Sequence, residues 1–147
     1  MMYQQQLQKA LKEKQLIPQT LGTLIIFNSE QIVNGIKQRW AFGKSSDGGI
    51  IGQYRNSEYQ AFKVQTNPRA GGNVDLTLTG ALGNNLMIKK KGTITYEIIS
   101  IDSKFEAISR KYGLKQFNLD QQQQDELFDM LILMTIEQYY ENVWVNV

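Results

Sequence analysis

Apolar residues in this chain gather in three places, Leu21–Phe27, Ile94–Ile101 and Leu127–Val147, and glycine interrupts much of the text between the first two. A core has to be assembled from those clusters and the periodic segments beside them. With 147 residues the chain has the length of one domain and too little for two ordinary ones, so the clusters must share one core with helices appended to it. One fold then carries whatever the protein does.

The pattern along the chain is α+β. Residues Tyr3 to Leu16, with Leu7 and Leu11 four apart and Pro18 as a stop, read as an exposed amphipathic N-terminal helix over 1–18. Asn28 or Ser29 can cap a second helix, in which Ile32, Val33, Ile36 and Trp40 fall on one face that should dock on a sheet. From Gly43 the sequence changes: Gly43, Gly48, Gly49, Gly52, Pro68, Gly71 and Gly72 punctuate short polar and aromatic pieces, and residues 43–73 read as a long Gly-rich extended loop or arm.

Residues 74–119 should hold a small antiparallel sheet and a short helix. Val74-Asp75-Leu76-Thr77-Leu78 alternates and reads as a strand, followed by strands at Asn85–Lys90 and Ile94–Ile101 with Gly92 turning the chain between them. Ser103 and Glu106 have capping-box spacing, and the helix they open stops at Gly113. Asp120 with Gln123 repeats the start signal for a long C-terminal helix within 120–147. The apolar positions of that helix cover more than one face, which fits either interior core or burial against another subunit.

Composition narrows the chemistry. Sixteen Lys and Arg against 14 Asp and Glu leave a net charge of +2, too little to hold the chain on a polyanion by counterion release alone. Cysteine is absent, which removes disulfides, thiolate nucleophiles and Cys-ligated zinc. Histidine is absent too, so the commonest general base is missing and only carboxylates, Lys, Tyr and hydroxyls remain for catalysis. The start Met1-Met2-Tyr3-Gln4-Gln5-Gln6 lacks the basic and apolar run of a secretory signal, and no stretch approaches the roughly 20 apolar residues of a membrane span. Synthesis and use in the cytoplasm are expected.

No candidate site forms a catalytic constellation. Asp47-Gly48-Gly49 lacks both the Lys-Ser/Thr ending of a phosphate loop and the spaced carboxylates of a calcium loop, and reads as a turn. Asp75 and Asp102 have no evident partner acid or nucleophile. Lys89, Lys90 and Lys91, with Lys44, Lys63 and Arg69 elsewhere, give either a basic patch for nucleic acid or a solvated hairpin end without interleaved stacking aromatics. Aromatic residues suited to protein contacts are Tyr54, Tyr59 and Phe62 on the arm and Tyr139, Tyr140 and Trp144 on the terminal helix. No catalytic residue, metal ligand or cofactor is expected.

Three runs, taken in order, carry a resemblance: Trp40 through Tyr54 with its Ser46-Asp47-Gly48-Gly49 turn, Tyr59-Gln60-Ala61-Phe62-Lys63, and Val74 through Leu82 ending in Thr79-Gly80-Ala81-Leu82. Together with Tyr96–Asp102 and Lys111-Tyr112-Gly113 they look like the virion-morphogenesis and tail-completion proteins of tailed bacteriophages, neck and head-tail connector subunits of the Bacteroidetes-phage type. The similarity spans roughly residues 40–119. Gly83-Asn84-Asn85 stands where many members place Arg and Ser, so no basic residue carries over there. The resemblance implies a structural virion protein working as a ring subunit at the head-tail junction and assembled in the host bacterial cytoplasm. It further implies homo-oligomer contacts, contacts to portal, neck or tail proteins, and DNA only as channel contents, with no membrane partner. The alternatives are a nucleic-acid-binding module using Lys89–Lys91 and a hydrolase or lytic factor, against which stand the missing His and Cys and the lack of paired carboxylates.

Overall fold

Trp40 is completely buried, and the chain is arranged around it. In the computed structural model the described residues are Gln19, 21–77, 79–92 and 95–144, with side chains described as far as Met134 and at Glu137. The architecture is α+β: helix α1 (residues 21–27), α2 (Ser29–Ala41), α3 (Ser57–Thr66), a short α4 (Ala81–Asn84), strands β1 (Leu86–Lys90) and β2 (Tyr96–Ser100), α5 (Phe105–Tyr112) and the long α6 (Gln121–Trp144). Two 3-10 turns, Pro68–Ala70 and Leu114–Phe117, complete it. The helix expected over 1–18 lies outside the described residues.

Helix α2 forms because its apolar positions recur at helical spacing, and Ile32, Ile36 and Trp40 are buried as that spacing requires. It ends where Gly43 takes a left-handed φ of +65° and donates its N–H to the Trp40 carbonyl at 2.7 Å. Its start differs from expectation. Asn28 is a junction between α1 and α2, its side-chain amide donating back to the Leu24 carbonyl at 2.8 Å, and no side chain caps α2.

Ile36 and Trp40 meet Ile51, Val74, Leu82, Leu86 and Phe117 in the core. Phe117 stands edge-on to Trp40 at 5.4 Å and to Phe105 at 4.6 Å between ring centroids. A polar clasp closes this corner. The Gln116 carbonyl accepts from Trp40 Nε1 at 2.9 Å and from the Arg39 guanidinium at 2.7 Å, while the same guanidinium reaches the Asn118 carbonyl at 2.6 Å and Gln123 Oε1 at 3.0 Å. Buried carbonyls of a 3-10 turn need such donors, and a cation supplies them most strongly.

Among the described residues the sheet has two antiparallel strands, not three, in a register running from Leu86 opposite Ser100 to Lys90 opposite Tyr96. A two-stranded hairpin is marginal alone, and this one is supported by α2 on one side. The strand expected at Val74–Leu78 is absent from the described part. Val74 keeps one strand-like bond, its N–H donating to the Gly52 carbonyl at 2.9 Å, but Leu76 then takes φ +53° and the extended run stops. The apolar alternation there reflects a chain with Val74 in the core and Asp75 in a buried ion pair, not a pleated edge. Leu78 lies outside the described residues.

The 43–73 segment is a long excursion but not an extended one. Asn56 Oδ1 accepts from Tyr59 N–H at 2.9 Å and starts α3, a ten-residue helix whose return brings Ile51 and Ala70 into buried positions. The start of α5 also needs correction. Neither Ser103 nor any other side chain caps the helix; Asp102 shapes the turn that leads into it, its carboxylate accepting from Lys104 N–H at 2.8 Å and its carbonyl from Phe105 N–H at 3.0 Å. By contrast the Asp120–Gln123 box forms in both directions, at 2.8 and 3.0 Å, and α6 follows it.

Candidate functional site

Between α3, α5 and residues 74–77 and 79–80 lies a cleft of about 520 Å³. Its walls are apolar and aromatic, with Tyr54, Leu76, Ile108 and Tyr112 among them, and its rim is cationic, carrying Arg55, Lys104 and Lys111. Lys104, Ala107, Ile108 and Lys111 recur at the spacing of one helix face, so α5 presents a two-turn ridge to the opening.

The floor is held by an ion pair that sequence reading missed. Lys63 Nζ sits 2.7 Å from Asp75 Oδ1, with side-chain exposures of 3% and 1%. Asn67 Nδ2 donates to the other carboxylate oxygen at 2.8 Å, and Thr77 N–H donates to Oδ1 at 3.2 Å. The Thr77 bond clamps the peptide around Leu76, a non-glycine residue in a left-handed conformation that ordinarily costs about 1–2 kcal/mol. Burial alone would raise the Asp75 carboxyl, but hydrogen bonds from Lys63, Asn67 and Thr77 outweigh it and hold the group below the usual carboxylate range. Burial pushes the Tyr54 hydroxyl up, with the Asp75 charge adding to it, so that phenol stays protonated beside the carboxylate. The only signal in the text was Lys63 twelve residues before Asp75, a spacing with no meaning until α3 turns the chain back.

The Asp47-Gly48-Gly49 turn is realised as expected: Gly49 N–H donates to Asp47 Oδ1 at 3.1 Å and Gly48 adopts φ +86°. Lys115 lies 2.5 Å from Asp47, and its hydrogen bond, helped by Gly49 N–H, lowers that carboxyl to about 2. Asp75 and Asp102 serve separate structural roles, as ion-pair partner and as acceptor in the turn before α5. Among the described residues no group of three or more carboxylates converges to hold a metal.

Of the residues singled out for contacts, Tyr54, Tyr59 and Phe62 do come together. Tyr54 and Tyr59 stack edge-on at 5.0 Å, Tyr59 and Phe62 lie 6.0 Å apart, and the first two line the cleft while Phe62 is exposed. Tyr139, Tyr140 and Trp144 fall within α6, and their side chains lie outside the described residues. Lys89, Lys90 and Lys91 are exposed at the end of β1, with Lys89 opposite Glu97 and Lys91 3.7 Å from it. Lys63 is withdrawn from any basic patch by its burial with Asp75.

A second surface is apolar. Helix α6 runs antiparallel to α2, since Gln123 Nε2 donates to the Gly35 carbonyl at 2.8 Å while Met134 lies beside Asn28. Leu131 is buried, yet Phe128 is 64% and Leu133 62% exposed, and on α1 Phe27 is 79% exposed. No described helix is long and apolar enough to cross a membrane. Comparison of the chain with protein-family models, curated proteins and solved structures gives no match.

Proposed function

We propose that this chain is a structural subunit of a tailed-phage particle, a neck or tail-completion ring component at the head-tail junction. The observation that carries the assembly half of this reading is the set of large apolar side chains that α1 and α6 leave in solvent on a small body, Phe27, Phe128 and Leu133. Large exposed apolar residues on neighbouring elements mark contact surfaces. The viral half is supported by the order of motifs from Trp40 to Gly113, of which the Asp47-Gly48-Gly49 turn and the Tyr112-Gly113 corner are formed. The strand that the resemblance implies before Thr79-Gly80 is not, so that part of the likeness is one of sequence only.

The test is the mass of the purified chain, followed by imaging and mass spectrometry of particles from cells carrying the genome that encodes it. A closed oligomer, and the chain in joined head-tail particles, are expected. A compact monomer at high concentration that is also missing from particles overturns the reading.

A further inference from the structure

Charge is segregated along this chain in a way that the net value of +2 conceals. All 16 Lys and Arg precede residue 121, whereas Asp125, Glu126, Asp129, Glu137 and Glu141 make α6 purely acidic. Residues 1–120 are therefore +7 and residues 121–147 are −5. On α6, Asp125, Phe128, Asp129 and Ile132 recur at i, i+3, i+4 and i+7, so they form one ridge, and all four are exposed. That ridge alternates carboxylate and large apolar side chain. The cleft presents the converse: apolar walls at Leu76, Ile108 and Tyr112 beneath Lys104, Lys111 and Arg55.

We propose that the cleft seats α6 of a neighbouring copy of this chain. Phe128 and Ile132 of the neighbour enter beside Ile108 and Tyr112, and its Asp125 and Asp129 face Lys104 and Lys111. An amphipathic helix in an apolar groove with a complementary rim is a recurrent recognition mode. No described residue of α6 lines the cleft of its own chain, so the cleft and the Asp125–Ile132 ridge are different patches of one molecule. Where the helix and the cleft of one copy engage two different neighbours the contact is heterologous, and repeated from copy to copy it closes into a ring when the rotation closes. Exchanged reciprocally between two copies it is isologous. An isologous pair would stop at two. The inference rests on the assembly reading above and names the partner of α6 within it.

Reciprocal charge reversal in the full chain tests it. Lys104→Glu with Lys111→Glu makes the cleft rim acidic against an acidic helix, and Asp125→Lys with Asp129→Lys makes both basic. Each variant should self-associate roughly tenfold or more weakly than the natural chain, because attraction across the contact becomes repulsion. Mixing the two should restore association, since each then offers the other an opposite surface in both directions. Sedimentation gives the association, and thermal unfolding confirms that the exposed substitutions leave the fold intact. Unchanged association of either variant, or no recovery on mixing, overturns the inference while leaving the ring-subunit reading standing if the chain still oligomerises and enters particles. Cleft variants that oligomerise normally but are lost from particles would place another virion protein in the cleft and equally overturn it. A natural chain that is monomeric and absent from particles overturns both.

Discussion

Lys63 is the residue on which the cleft depends. A buried charge stripped of its partner typically destabilises a fold by about 3–5 kcal/mol, and Lys63→Met would strand the Asp75 carboxylate in that way. Adding Asp75→Asn removes the stranded charge, and its single amide oxygen can still accept from either Asn67 or Thr77, so the double variant should recover part of the loss in urea unfolding. If the double variant is as unstable as the single one, the pair does not act as a charge pair. The same site fixes a pH dependence. The Asp75 carboxyl is depressed in the folded chain relative to about 3.9 unfolded, so its contribution is complete above that value and is lost as pH falls through the folded value. Unfolding midpoints should drop as pH goes from 5 toward 2, and Asp75→Asn should flatten that slope, with exposed Asp47 adding a smaller part of the same sign. Gly43 sets a second local constraint. At φ +65° an added Cβ would lie 3.1 Å from Asn73 Cβ and 3.3 Å from the Val74 carbonyl, so Gly43→Ala should cost about 1–2 kcal/mol or more in thermal unfolding.

Among the elements, α6 has the clearest start signal, and Asp120→Ala tests it. Losing one side of the box should cost about 0.5–2 kcal/mol and fray the first turn, where Gln123 also ties α6 to Arg39 and Gly35, so amide exchange should rise at residues 121–124. Helix periodicity and paired caps act over four or five neighbouring residues, which is why α2, α6 and the β1–β2 hairpin were legible in the sequence. The features that were not legible depend on distant partners. Asp75 reads as a strand position until Lys63 reaches it across α3, and α3 itself was hidden by the glycines on both sides of Asn56–Thr66. The Ser103 box did not form: Ser100 Oγ accepts from Asp102 N–H at 3.2 Å and Asp102 in turn accepts from Lys104 N–H, a turn that leaves α5 without a side-chain cap. The cleft was invisible for the same reason: its walls come from three segments joined by long-range contacts, the Lys63–Asp75 pair and the Val74–Gly52 and Tyr54–Asp75 hydrogen bonds among them.

At the scale of the whole molecule, the question is whether assembly follows net charge or the placement of charge. A body of +7 and a helix of −5 attract one another in any orientation, so added salt should weaken self-association through Debye screening, whichever surfaces meet. Position separates the two explanations. Replacing Lys89, Lys90 and Lys91 by Ser takes the chain from +2 to −1, close to the −2 of the Lys104→Glu, Lys111→Glu variant, yet touches only an exposed hairpin end away from the cleft. If charge acts through the cleft, the Lys89–Lys91 variant should assemble within about twofold of the natural chain, as expected of solvated charges whose pairing is worth roughly 0–1 kcal/mol. Its affinity for duplex DNA, measured against salt, reports on the other role open to those lysines, since a phosphate-binding stripe would lose one step of salt slope for each cation removed. Assembly falling as far in this variant as in the cleft variant would make long-range charge, and not the α6 ridge, the source of cohesion.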